Sequence, residues 1–251
     1  MNTFSIPRSY GEIVTINVDP QNDFMPGGAL AVEDGDLVVP ALNRLNTFTN
    51  AAHGNVVFTR DWHPDGTKHF VDQGGPWPPH CRQYRAGAAF HDDLVIDVEH
   101  GDSIASKGMS REDDGYSGYF AQLTIGRLAD LVADLPPEKQ TVAAAIERMI
   151  EINRPAMETA QRRFAILIGG LATDYCVKAT VLDALEQTAR YRRSDGSRLV
   201  DVILVTDAIR AVDVEPGDGD RALAALIEAG ALALTSDEII HGSVLIERSV
   251  L

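Results

Sequence analysis

Short apolar runs alternate along this chain with longer stretches of helical spacing. Glu12 to Val18 (EIVTINV) reads as a first buried strand. Leu37 to Ala52 sets Leu37, Val38, Ala41, Leu42 and Leu45 at helical intervals, and Gly54 closes it. Asn55 to Thr59 (NVVFT) is the next strand and Asp102 to Ser106 a weaker one. Phe164 to Ile168 (FAILI) is a strong strand that runs into the turn residues Gly169 and Gly170. A helix is predicted over Asp174 to Arg190, a strand over Val200 to Thr206, a helix over Asp218 to Ala229 and a last strand over Ala231 to Leu234. This alternation predicts an α/β fold: a mostly parallel, doubly wound sheet of about six strands with helices on both faces. Ligands of such sheets bind beyond the carboxyl ends of the strands. Chemistry is therefore expected near Asp19, Asp61, Lys107 and Cys176.

Two stretches break the alternation. Arg60 to Asp102 is long and clusters Pro, Gly and His (DWHPDGTKHFVDQGGPWPPHC). A loop of this length in a compact domain is usually functional. Pro136 to Arg163 carries Ala, Glu, Met and Ile at helical spacing, with a break expected before Pro155. It reads as an inserted helical hairpin or cap within one domain spanning residues 1–251.

Composition narrows the function classes. The chain has 251 residues, 45% of them hydrophobic, enough for a sizeable core. Acidic residues outnumber basic ones, 37 to 22, for a formal net charge of -15. Without a Lys/Arg stripe, such a surface argues against nucleic acid and anionic membrane as partners. The start, MNTFSIPRSY, lacks the pattern of a secretory signal, and no apolar run is long enough to span a bilayer. A cytoplasmic protein is expected, with its two cysteines, Cys81 and Cys176, reduced.

Cys176 follows a buried strand at the start of a helix, in GGLATDYCVKAT. A helix N-terminus favours a thiolate and presents N–H groups to an oxyanion. Buried structural cysteines are equally common. Asp19 ends the first strand, where a carboxylate within reach of a thiol accepts its proton. An Asp before Pro20 is also an ordinary turn residue. Lys107 ends the third strand and would stabilise anions on either side, although most loop lysines are simply solvated. The most specific cluster is Asp61, His63, His69 and His80. Asp61 and His63 share one side of an extended segment, and imidazoles with a carboxylate suit zinc, iron or manganese. His53, His91, His100 and His241 read as surface or structural residues. Phe24, Trp77 and Tyr116, each unremarkable alone, would together stack on a planar ring.

These segments resemble the nicotinamidase/pyrazinamidase branch of the isochorismatase-like cysteine hydrolases. The matching stretches are VDPQNDFMPGGALAV (Val18 to Val32), TRDWHPDGTKHF (Thr59 to Phe70), WPPHC (Trp77 to Cys81), SKG (Ser106 to Gly108) with YSGY (Tyr116 to Tyr119), and GLATDYCV (Gly170 to Val177). They fall in family order up to Val177. The resemblance implies a catalytic triad of Asp19, Lys107 and Cys176. It implies a divalent metal, zinc foremost, on Asp61, His63 and His80, with His69 a further ligand in some members. It also implies a cis peptide between Leu171 and Ala172 that turns the Ala172 N–H, with that of Cys176, toward an oxyanion. Phe24 and Trp77 align with residues that sandwich a pyridine ring, with Tyr116 nearby. The implied activity is hydrolysis of nicotinamide through a cysteine thioester, with pyrazinamide as a second substrate, a role in NAD salvage and a homo-oligomeric state. The alternatives are a related cysteine hydrolase for another small amide or ureido substrate, and a non-catalytic binding module on the same fold.

Overall fold

The computed structural model describes residues 3–5, 10–241 and 243–245. Seven strands form one sheet: β2 (Tyr10–Val18), β3 (Asn55–Asp61), β4 (Ser103–Lys107), β5 (Gln122–Ile125), β6 (Arg163–Leu171), β7 (Val200–Arg210) and β8 (Leu232–Leu234). Their order is β5-β4-β3-β2-β6-β7-β8. All neighbours are parallel except β4 and β5. A separate antiparallel pair joins β1 (Thr3–Ser5) to β9 (Ser243–Leu245).

The central strands are buried on both faces, and period two divides their side chains. Val14, Ile16 and Val18 of β2 and Phe164, Ile166 and Ile168 of β6 enter one apolar cluster. Ile13 of β2 and Ala165 and Leu167 of β6 enter the other. The second face takes α1 (Val38–Ala51) and α6 (Ser236–His241). The first takes α2 (Arg127–Leu131), α3 (Val142–Thr159), α4 (Lys178–Thr188) and α5 (Asp218–Glu228). The doubly wound sheet expected from the pattern is therefore present.

Four details differ from the sequence expectation. The main sheet has seven strands rather than about six, because Gln122–Ile125 adds an antiparallel edge. This four-residue strand has one buried apolar residue, Leu123, so alternation cannot reveal it. Residues 136–163 form no helical hairpin or cap: the single helix α3, capped by the Thr141 hydroxyl, lies against β2 and β6. Its Ile146, Ile150 and Met157 are buried in the main core. Nor does α3 break before Pro155. Pro155 and Glu151, the residue whose carbonyl loses its bond, are both exposed, so water can satisfy that carbonyl while Met157 anchors the last turn. Finally, the stretch before α4 is a π turn, Thr173–Val177, and not regular α-helix.

Candidate active site

Four adjacent strands deliver the polar residues to one end of the sheet. Asp61 and Lys107 are the last residues of β3 and β4 and lie opposite each other in the parallel register. Asp19 follows β2 directly, with a left-handed backbone (φ 48) that turns the chain. Cys176 lies in the π turn beyond β6, and the Leu171–Ala172 peptide is cis.

Lys107 is buried and sits among four acceptors. Its Nζ lies 2.7 Å from Asp19 Oδ2 and 3.3 Å from Cys176 Sγ, donates to the Gly115 carbonyl at 2.5 Å, and contacts Asp61 Oδ1. An ammonium has three protons, so one neighbour receives charge without a directed hydrogen bond. Asp19 Oδ2 has the Lys107 ammonium as its close partner and keeps capacity to accept a proton. The other oxygen, Oδ1, accepts from the Thr59 hydroxyl at 2.7 Å.

Burial raises the Asp19 pKa to about 6, with Lys107 opposing the rise and Asp61 adding to it. Burial also works against the Asp61 carboxylate, but Lys107 and the imidazoles of His63 and His80 hold its pKa well below the usual range. Asp19 and Asp61 together keep Lys107 charged in spite of its burial. The Cys176 thiol is pushed up by burial, with Lys107 pulling the other way. The start of a helix therefore does not by itself make this cysteine a thiolate. Cys81, also free and buried, is likewise pushed up, by burial and by Asp61, Asp23 and Asp19.

Asp61 turns its second oxygen to the histidines. Oδ2 lies 3.6 Å from His63 Nε2 and 3.7 Å from His80 Nε2. The opposite ring nitrogens face main-chain carbonyls: His63 Nδ1 is 3.1 Å from Gly108 O, and His80 Nδ1 is 2.7 Å from Pro78 O. With a proton on each Nδ1, both rings offer an Nε2 lone pair beside the carboxylate, the arrangement that orients metal-binding imidazoles. His69 completes the group: one nitrogen of each of His63, His69 and His80 lies within 4.8 Å of the others. His63 Nε2 and His69 Nδ1 are buried without hydrogen-bond partners. Burial and neighbouring His63 lower the His69 pKa to about 4, so this ring is neutral. Ring nitrogens without hydrogen-bond partners grouped around a carboxylate fit a divalent ion. Gly108 is needed here: it is left-handed (φ 62), and a Cβ would lie 2.4 Å from the His63 ring.

Between the two groups opens a cleft of about 310 Å³, lined by Phe24, Leu30, Asp61, His69, Trp77, His80, Tyr116, Ala172, Tyr175, Cys176 and Val212. The Trp77 indole N–H donates to Tyr116 Oη at 2.9 Å, and Tyr175 meets the Trp77 ring edge-on at 4.7 Å. The structure thus gathers every residue singled out above. Phe24, Trp77, Tyr116, Asp61, His69, His80, Ala172 and Cys176 line the cleft, and Asp19, Lys107 and His63 are buried beside it.

Three supporting residues escape sequence reasoning. Gln21 is fully buried, and its Nε2 donates to the carbonyls of Asp61 and Ala88, both at 2.9 Å. Its Oε1 accepts the Asp61 N–H at 2.7 Å, which fixes the Asp61 main chain from both sides. Thr59 shares a strand face with Asp61 by period two, a signal that was available. Tyr175 adjoins the candidate cysteine and reads as an ordinary helix residue.

A family model described as an isochorismatase domain matches residues 14–110. The nicotinamidase of Escherichia coli K12 is 32% identical over 236 residues, covering 87% of this chain and 92% of that enzyme. The fold is similar to the crystal structure of the pyrazinamidase of Pyrococcus horikoshii in complex with zinc, with TM-score 0.63 and 32% identity, covering 89% of this chain and 98% of that one. It is also similar to PnC1 from L. infantum in complex with nicotinate, with TM-score 0.62 and 27% identity, covering 94% and 98%. Extended sequence identity, the parallel sheet and the clustered strand-end residues agree: this chain belongs to the isochorismatase family of hydrolases.

Proposed function

We propose that this hydrolase is a nicotinamidase, converting nicotinamide to nicotinate and ammonia through a thioester on Cys176, with pyrazinamide as a second substrate. The observation that carries the reading is the position of Lys107, 2.7 Å from Asp19 and 3.3 Å from Cys176, at a cleft whose other side holds the histidine–Asp61 group. The relatives named nicotinamidase and the nicotinate and zinc complexes of similar structures support this substrate class and this metal.

Asp19 takes the thiol proton through Oδ2, and Lys107 stabilises both the carboxylate and the forming thiolate. Sγ attacks the amide carbon, and the N–H groups of Ala172 and Cys176 receive the oxyanion. Asp19 returns its proton to the departing nitrogen, releasing ammonia. Water then adds to the thioester with Asp19 as base, nicotinate leaves, and the thiol is regenerated. Phe24 and Trp77 hold the ring, with Tyr116 fixing the Trp77 indole. Asp61, His63 and His80, with His69, would hold one divalent ion, zinc by preference, which when bound supplies a Lewis-acid anchor for the pyridine nitrogen. One hydrolase domain over residues 1–251 suffices for this chemistry.

Ammonia release from nicotinamide by the purified, zinc-supplied protein tests the proposal. Turnover of nicotinamide far above that of N-carbamoyl substrates supports it. Turnover of the carbamoyl substrates alone would assign the site to the related ureido hydrolases.

A further inference from the structure

Between Ala172 and Cys176 stands a carboxylate with no part in the chemistry above. Asp174 Oδ1 accepts the Val212 N–H at 3.0 Å, and Oδ2 accepts the Asp213 N–H at 2.9 Å. Both oxygens of one carboxylate thus hold two consecutive main-chain groups with charge-assisted bonds. Asp213 is left-handed (φ 52), a conformation rare for a residue with a side chain. Its own Oδ1 accepts the Gly219 N–H at 2.7 Å, in the first turn of α5. Gly219 packs so closely that a Cβ would lie 2.5 Å from Ala211 Cβ. The segment after β7 is therefore held from two sides, by the π turn and by α5.

This segment carries Val212, which lines the cleft with Ala172 and Cys176 and packs on the apolar cluster that includes Leu171. We infer that Asp174 is a positioning residue that sets Val212 as the wall at the amide end of the cleft, and that this wall restricts the site to unsubstituted amides. The inference rests on the proposed amidase reading. The attacked carbon must lie within reach of Cys176 Sγ, and its oxygen near the Ala172 and Cys176 N–H groups. The amide nitrogen then sits at this same end, beside Val212. A primary amide nitrogen carries only hydrogens there. An N-alkyl group needs the volume that the valine occupies.

The test compares nicotinamide with N-methylnicotinamide, whose hydrolysis releases methylamine, in the zinc-supplied wild type, Val212→Ala, Asp174→Ala and Asp174→Asn. Hydrogen exchange of the 212 and 213 amides is measured beside it. The ratio of kcat/KM for the two amides should fall about tenfold in Val212→Ala and in Asp174→Ala, the scale set by one methyl-sized change in an apolar pocket. Asp174→Asn, which keeps one acceptor oxygen, should lie between wild type and Asp174→Ala. The two amides should exchange faster in Asp174→Ala but not in Val212→Ala. Should Asp174→Ala fail to fold, Val212→Ala still carries the selectivity test. If wild type releases ammonia from nicotinamide while both alanine variants keep its ratio, the inference is wrong and the proposed activity stands. If wild type releases none, the activity reading fails and takes the selectivity claim with it. Unchanged exchange in Asp174→Ala separately refutes the clamp.

Discussion

Asp61 faces Lys107 with one carboxylate oxygen and the His63 and His80 imidazoles with the other. A single side chain thus joins the histidine group to the ammonium that touches Cys176. Replacing it should disturb both. Asp61→Asn removes the charge while keeping the shape, and zinc affinity should drop at least about tenfold, as loss of well-oriented ligand interactions does. Competition with a chromophoric chelator measures it. Unchanged affinity would place the ion elsewhere.

The Asp19 carboxyl, raised to about 6 by burial, sets the expected pH dependence. As the proposed general base it must be ionised. The value of kcat/KM should therefore fall about tenfold per pH unit below that pKa and level off above it. An acid limb near the ordinary carboxylate range would mean that another group takes the proton.

Thr59 donates to Asp19 Oδ1 and so favours the charged form. Thr59→Val should move the acid limb of the profile to higher pH, by up to about one unit for a bond worth about 1 kcal/mol. A purely structural role would lower Tm and leave the limb in place.

Helix α3 covers β2 and β6 with buried Ile146 and Ile150. Ile146→Ala should lower unfolding free energy by about 2–5 kcal/mol, the cost of a large-to-small change in a packed core. Urea unfolding monitored by circular dichroism reads this directly. A loss below about 1 kcal/mol would fit a dispensable cap instead.

Much of this architecture was legible along the chain because burial writes a strong pattern. FAILI and VDVILVT mark strands buried on both faces, and strand ends then point to Asp19, Asp61 and Lys107. The edge strand Gln122–Ile125 was not, since a four-residue strand with only Leu123 buried carries no periodicity. Pro155 misled because a proline penalty depends on whether the freed carbonyl is buried, and Glu151 is exposed. His69 and His80 come from a loop of short turns, whose fold depends on distant partners such as the Trp77–Tyr116 bond. Gln21 and Asp174 act through main-chain bonds to residues 38 and more positions away, which no local pattern encodes.

The proposed chemistry turns on a covalent role for Cys176. Ammonia release from nicotinamide by zinc-supplied wild type and Cys176→Ala, side by side, tests it most directly. With zinc content equal in both, removing the proposed nucleophile should lower kcat by about 10⁴-fold or more. Substantial ammonia release by Cys176→Ala would contradict the thioester route and point to direct attack by water.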